Sequence, residues 1–151
     1  MTIKTIVPRV RVRNTAKDAP EFRASHKYAK GSPQKARLIM DQIRGLEVSA
    51  ALSLLQHSTR RAARQIEKVL KSAISNADYA IENELVRDSQ GVVIEPQPNT
   101  DVEDLYIHEC TATDGPRLKR WRPRARGSAF PYRKYTCHLS IKLRPMPGQD
   151  S

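Results

Sequence analysis

The stretch Arg117-Leu118-Lys119-Arg120-Trp121-Arg122-Pro123-Arg124-Ala125-Arg126-Gly127-Ser128-Ala129-Phe130-Pro131-Tyr132-Arg133-Lys134 carries eight basic side chains and no acidic one. Nothing in it is apolar enough to form a core element, and Pro123, Gly127 and Pro131 would break any helix it began. The residues on either side differ. Leu105-Tyr106-Ile107-His108-Glu109-Cys110-Thr111-Ala112 alternates as a half-buried strand does. Residues 135–143 alternate more clearly, with Tyr135, Cys137, Leu139, Ile141 and Leu143 on one face. Two such runs flanking an exposed basic one predict a long antiparallel hairpin, with the basic run as its far end. At roughly 3.3 Å per residue, the chain from Gly115 to Gly127 can reach about 40 Å from the sheet. That exceeds the ~13–15 Å radius of a domain of this size.

The rest of the chain reads as the base for this arm. Phe22-Arg23-Ala24-Ser25-His26-Lys27-Tyr28-Ala29-Lys30 partly alternates and predicts a short strand. Ser32-Pro33 then opens a helix, with Ser32 as its cap and Pro33 at the first helical position. Ala36, Ile39, Met40 and Ile43 form its buried face, and Gly45 ends it. A second short helix fits residues 49–57, burying Ala51, Leu52, Leu54 and Leu55, and this Gly-linked pair is expected to pack as a helical hairpin. Ser58 is expected to cap a third, longer helix that runs to about Asn83. On it Ala62, Ala63, Ile66, Val69, Leu70, Ala73, Ile74, Ala77 and Ile81 make one continuous apolar side. Arg60, Arg64, Lys68 and Lys71 line the opposite side, with Arg61 at its margin.

Residues 85–102 contain Asp88-Ser89-Gln90-Gly91 and Glu95-Pro96-Gln97-Pro98-Asn99, and read as an exposed excursion with room for a short strand at 92–94. Residues 1–21 have no sustained period and read as a flexible basic extension. Residues 22–144 then form a single domain, with the arm at about 114–134, and residues 145–151 a tail.

The charge is sorted along the chain. Of 151 residues, 27 are Lys or Arg and 16 are Asp or Glu, a net charge of +11. Residues 1–30 hold 8 basic and 2 acidic side chains, and residues 31–90 hold 9 and 7. Residues 91–116 hold 6 acidic and no basic side chains, whereas residues 117–151 hold 10 basic and 1 acidic. Charge added for solubility alone would not be partitioned in this way. A partner that supplies negative charge in a line relieves the repulsion within the arm, and a nucleic-acid backbone does so. Arg outnumbers Lys there, which favours bidentate phosphate contacts, and Trp121, Phe130 and Tyr132 are suited to stacking on bases. On the long helix, Arg60, Arg61 and Arg64 stand at the start while Asp78 and Glu82 stand near the end. That order opposes the helix dipole, at about 0.3–1 kcal/mol per exposed charge, and an external phosphate explains it. Lys35 and Arg37 repeat the pattern at the start of the Ser32 helix, where unbonded N–H groups can also receive a phosphate.

Other chemistries find little support. Cys110 and Cys137 form no disulfide framework, and no run approaches the ~18 apolar residues of a membrane span. His108, Cys110, Cys137 and His138 lie on the two paired strands, but Cys137 and His138 point to opposite faces, so at most three could meet a metal. Both cysteines read better as small buried hydrophobes, and His138 contacts RNA or faces water. Asp101, Glu103 and Asp104 read as solvated. There is no Gly-rich phosphate loop, nucleophile elbow or H-E-x-x-H motif, so no enzyme and no cofactor are expected. A membrane-active hairpin would need an apolar face that Leu118, Trp121 and Phe130 scarcely provide, and a metal-dependent nuclease would show chelator-sensitive RNA cleavage, which is not expected.

Several motifs resemble the bacterial-type large-subunit ribosomal protein L22 family. They are Ser32-Pro33-x-Lys35-Ala36-Arg37, Arg44-Gly45, Arg61-Ala62-Ala63, Lys68-Val69-Leu70-Lys71-Ser72-Ala73-Ile74-x-Asn76-Ala77, the run from Gly115-Pro116 through Gly127, and His138-Leu139-x-Ile141. The resemblance implies an α+β fold, a small antiparallel sheet packed on three helices with a long extended β-hairpin arm. It implies a structural constituent of the large ribosomal subunit whose arm threads ribosomal RNA and lines the nascent-peptide exit tunnel. The implied location is the cytoplasm, in the ribosome, with an organellar ribosome as the alternative. The candidate RNA-binding side chains are Lys27, Ser32, Lys35, Arg37, Arg60, Arg61, Arg64, Lys68 and Lys71 on the body, Arg117, Lys119, Arg120, Trp121, Arg122, Arg124, Arg126, Arg133 and Lys134 on the arm, and His138 beyond it. Residues 118–132 match the family's tunnel wall. The implied partners are several segments of large-subunit ribosomal RNA, neighbouring ribosomal proteins and passing nascent chains, with no membrane.

Overall fold

A computed structural model of the chain describes residues 20–83, 86 and 105–146. The N-terminal extension before residue 20, the excursion apart from Val86 (with its strand at 92–94 and Asp101, Glu103 and Asp104), and the tail beyond residue 146 lie outside the described residues. The elements follow in the order β1 (Phe22–Lys30), α1 (Pro33–Ile43), α2 (Val48–His57), α3 (Arg61–Glu82), β2 (Leu105–Asp114), β3 (Leu118–Pro123), β4 (Ala129–Lys134) and β5 (Thr136–Pro145). β1, β5 and β2 form a three-stranded antiparallel sheet with β5 in the centre, and β3 and β4 pair separately as a two-stranded ribbon. The expected α+β fold is therefore present, with three helices against one small sheet and the hairpin arm standing apart.

One face of the sheet carries the core. α3 packs across β1 and β5, and α1 across β2, so that Ile39, Met40, Ile43, Ile66 and Leu70 meet Leu105, Ile107, Leu139, Ile141 and Leu143. Each of these side chains is fully buried and contributes about 1.5–3 kcal/mol by leaving water. The alternation of Cys137, Leu139, Ile141 and Leu143 along β5 runs unbroken. In β2 it does not. Leu105 and Ile107 face the core, and then Cys110 and Ala112 do, because a bulge between Ile107 and Glu109 absorbs one residue and resets the face. β1 has a similar bulge between His26 and Ala29. Both cysteine thiols are buried and donate to main-chain carbonyls, Cys110 to Met40 at 3.1 Å and Cys137 to Ala29 at 3.7 Å. Burial pushes both thiols upward.

Four local expectations change. Ser32 holds the cap position of α1, but without a side-chain cap hydrogen bond. Ser58 closes α2 instead of opening α3, which starts at Arg61 with Arg60 as its cap. Leu52 and Leu54 are only half-buried, whereas Val48 joins Ala51 and Leu55 in the core. α1 and α2 do not pack as a helical hairpin: α1 lies on β2 and α3, and α2 on α3. The backbone between them explains this. Gly45, with φ +80°, turns the chain out of α1, its N–H donates to the Ile107 carbonyl, and the Ile107 N–H donates back to Leu46. Glu47 then bridges to Tyr106. The connection is laid along β2 as extended chain, and this holds the two helices apart.

The root of the arm is a tight joint. β2 ends at Asp114 and β5 begins at Thr136, so residues 115–117 and Tyr135 are all that separate the main sheet from the ribbon. Pro116 has no N–H to offer a ladder, and the pairing breaks there. The Gly115 N–H donates to the Thr136 carbonyl at 2.9 Å, and the Thr136 hydroxyl donates to the Pro116 carbonyl at 2.6 Å. A Cβ at Gly115 would lie 2.6 Å from Thr136 Oγ1 and 3.1 Å from its carbonyl carbon and oxygen. Tyr135, expected on the core face, falls in this joint and is exposed, with the Arg117 guanidinium 5.0 Å over its ring.

On the sheet face turned from the helices, Lys142 reaches Glu109 at 2.8 Å and Glu21 at 3.4 Å, and Arg144 reaches Glu21 at 3.0 Å. The hydrogen bond from Lys142 holds the Glu109 carboxyl below its ordinary 4.5, and the same bond raises Lys142 above 10.5. A lowered carboxyl contributes stability above its ordinary value and loses it as pH falls through the lowered one. A raised amine contributes below its ordinary value and loses it as pH rises through the raised one. Both contributions are complete at neutral pH. Two outcomes are expected in chemical denaturation. Gly115→Ala lowers stability by about 1–3 kcal/mol, as overpacking against backbone does. Glu109→Gln costs less than about 1 kcal/mol at pH 7, because the pair is partly exposed, and its difference from the parent protein closes as pH falls from the ordinary 4.5 through the lowered value.

Candidate nucleic-acid interface

The ribbon β3–β4 is built almost entirely of exposed residues, with Tyr132 the half-buried exception. Its register sets Leu118 opposite Lys134, Lys119 opposite Arg133, Arg120 opposite Tyr132, Trp121 opposite Pro131 and Arg122 opposite Phe130. Residues directly opposite share a face, so Lys119 and Arg133 stand side by side as like charges, an arrangement that destabilises a ribbon in water. No ion pair among the described residues involves any arm cation. Arg122 packs over the Tyr132 ring at 5.4 Å. Trp121 is 68% exposed and Phe130 65%, so neither aromatic serves a core. Neither strand packs substantially on the body. A two-stranded ribbon in isolation is marginal at best, and this one is cationic, aromatic and without internal counter-charge.

At the tip the chain reverses through Arg126 and Gly127, with φ values of +58° and +68°. Two consecutive positive φ values are the mark of a type I′ turn, the turn that fits the twist of paired strands. The Ser128 N–H and hydroxyl both donate to the Ala125 carbonyl, and the Arg124 N–H donates to the Ser128 carbonyl at 2.8 Å. Gly127 takes the left-handed conformation freely, whereas Arg126 takes it at some cost and presents its guanidinium at the far end of the arm.

The body adds a second basic surface. Arg61, Arg64, Lys68 and Lys71 are exposed at helical spacing along α3, and Lys71 is paired with Glu67 at 2.8 Å. Neither α1 nor α3 has an acidic residue in its first turn. The starts of these two helices meet around Gly31. There Lys30, Ser32, Lys35, Arg60 and Arg61 line one open cleft of about 400 Å³. Lys30 and Arg61 also line an adjoining cleft of about 740 Å³ beside Arg120 and Lys134 at the root of the arm. The stripe on α3, the two helix starts and the arm thus form one continuous cationic surface drawn from three separate parts of the sequence.

Some of the candidate side chains are already engaged. Arg37 donates through Nε to the Ala112 carbonyl at 2.8 Å and lies 3.8 Å from Asp114, so part of its donor set clamps α1 to the end of β2. His138 accepts the Tyr28 N–H at Nδ1, 3.0 Å away, and its ring meets the Tyr28 ring edge-on. Lys27 is exposed within the β1 bulge. Lys30 and Tyr28 were missed by sequence reading. Lys30 is placed by its pairing with Thr136 at the end of β1, and Tyr28 by the bulge, and neither has a local sequence signal. Among the described residues no group of three His, Cys, Asp or Glu side chains could hold a metal ion, and no helix is long and apolar enough to cross a membrane.

Known proteins match this chain along the residues of both body and arm. Residues 24–144 match the model of the family described as ribosomal protein L22p/L17e. Over 136 residues the chain is 40% identical to the large ribosomal subunit protein uL22 of Synechococcus sp. (strain JA-2-3B'a(2-13)), which covers 90% of this chain and 96% of that one. It is 40% identical over 131 residues to the uL22 protein of Caldicellulosiruptor saccharolyticus, covering 87% and 93% of the two chains. With the uL22 protein of Halothermothrix orenii the identity is 41% over 121 residues, covering 80% and 92%. The match begins inside β1, ends inside β5 and takes in every helix of the described residues and the whole arm, so the chain belongs to the ribosomal protein L22p/L17e family.

Proposed function

We propose that this protein is a structural constituent of the large ribosomal subunit that binds and organises large-subunit ribosomal RNA. Its residues 22–144 act as one domain. The body docks through the α3 stripe and the cluster at the two helix starts. The arm runs between RNA segments and lines the nascent-peptide exit tunnel with residues 118–132. Neighbouring large-subunit proteins and passing nascent chains are its other contacts.

The observation that carries this reading is the exposed β3–β4 ribbon. Eight cations of residues 117–134 have no acidic side chain among them in sequence and no ion-pair partner among the described residues. Such a ribbon is favourable only where phosphates supply the missing charge, and closely packed RNA backbones supply it in quantity. Recognition of this kind depends on shape and backbone, and sequence preference is weak. The relatives' names place them in the large ribosomal subunit, which supports the same assignment here. Membership of a ribosomal protein family supports a structural role over an enzymatic one.

Two measurements test it. A tagged copy of the full chain is expected to sediment with large ribosomal subunits in a lysate, and a protein that stays at the top of the gradient would remove the assignment. Binding of purified protein to ribosomal RNA fragments is expected to weaken steeply with salt. Each phosphate neutralised adds about 0.7–0.9 to the slope of log affinity against log salt. Replacing Lys119, Arg120 and Arg133 by Gln is expected to reduce that slope by about two to three units while the denaturation midpoint holds or rises, since a like-charge pair is removed.

A further inference from the structure

The root of the arm contains a feature that phosphate binding by the ribbon does not use. Between the body and the arm lies the open cleft of about 740 Å³, its lining mainly apolar and without an acidic residue. Tyr28, Leu118 and Tyr135 supply the apolar surface, and they are 61%, 46% and 45% exposed. Lys30, Arg61, Arg120 and Lys134 surround them. A solvated charge run does not need three large side chains with half-exposed apolar surface at its centre, and a protein core does not surround itself with four cations.

Tyr28 is held in place at a cost. It has φ +60°, the left-handed region that a bulky residue avoids. It sits in the β1 bulge between His26 and Ala29, where the extra residue turns a side chain out of the ladder. The His138 Nδ1 accepts its N–H at 3.0 Å, and the His138 ring packs edge-on against its ring at a centroid distance of 4.9 Å. Backbone strain that is stabilised from outside and aims an aromatic ring at an open cleft is a mark of a functional site. On the far wall, the Gly31 N–H donates to the Tyr135 carbonyl, and Arg117 covers the Tyr135 ring, which fixes that side as well.

We propose that this cleft seats one unstacked nucleobase of single-stranded RNA, with Tyr28 as the stacking platform and Lys30, Arg61 and Arg120 receiving the flanking phosphates. The seat rests on the reading of the protein as an RNA binder and adds to it a preference for a splayed, unpaired nucleotide at one point. An aromatic face accepts any base, so the seat selects for single-strandedness and not for base identity. The ring of cations complements the phosphates on either side of a base that has left its stack.

The test uses the full chain, a ten-nucleotide single-stranded RNA containing 2-aminopurine, and a ten-base-pair RNA duplex. Tyr28→Gly is the decisive variant, because glycine adopts φ +60° without strain, and that relief offsets the lost ring contact with His138. Its denaturation midpoint is expected to equal or exceed that of the parent. Its affinity for the single strand is expected to fall about tenfold, the scale of one lost base stack, and the 2-aminopurine quenching to disappear. Duplex affinity and the salt slope are expected to stay unchanged. Tyr28→Phe, which keeps the ring, is expected to bind the single strand as the parent does. Unchanged single-strand binding by Tyr28→Gly, or an equal loss on both probes, overturns the seat and leaves the steep salt slope, and the RNA-binding reading with it, intact. A shallow slope for the parent protein on both probes overturns that reading itself.

Discussion

The constraint on which this structure depends is positive charge that the molecule does not neutralise internally. Elsewhere several charges are paired. Lys142 is held by two glutamates, Arg144 by one of them, Lys71 by Glu67 and Arg44 by Asp41. On the arm the pattern stops, and Lys119 is set directly across from Arg133. Like charges in register weaken a ribbon that is already too narrow to be stable alone. The cost is local to the arm, because the body has its own core and ends its sheet before the charges begin.

The joint at residues 114–117 and 134–136 makes that separation possible. Pro116 interrupts the ladder, Gly115 lets the backbone of Thr136 approach, and Thr136 ties the two strands together on the body side of the break. The arm is anchored there without being part of the main sheet. The same joint brings Arg120 and Lys134 beside Lys30 and Arg61, so the anchor is also where the basic surface of the body runs onto the arm. Mechanical attachment and electrostatic continuity therefore come from one short piece of chain.

Much of this was legible in the residues. The 3.6-residue period of Ala63, Ile66, Val69, Leu70, Ala73 and Ala77 locates α3 and its buried side. The two-residue period of Cys137, Leu139, Ile141 and Leu143 locates β5. The partition of charge marks the arm in the sequence itself. These signals are local or periodic, and each element carries its own. Where sequence reading went astray, the missing information was relational. Ser58 has the right chemistry for a helix cap, and its hydroxyl accepts the Arg60 N–H at 3.5 Å, but the next helix starts only at Arg61, so Ser58 stands before the cap position and closes the preceding helix. A Gly-linked pair of helices looks like a hairpin until β2 claims the linker between them. Tyr135 is in phase with the β5 alternation but stands one residue before the strand begins.

What the amino-acid order determined by itself was which segments are helix, which are strand and where the charge lies, because side-chain periodicity and composition act over a few residues. Tertiary structure alone decided which distant groups meet: the two bulges that reset β1 and β2, the left-handed Tyr28 held by His138, and the gathering of Lys30, Arg61, Arg120 and Lys134 around one cleft. Each follows from strand register and helix docking between separate segments of chain, and the energy that sets them is summed over the whole core rather than written in any one stretch.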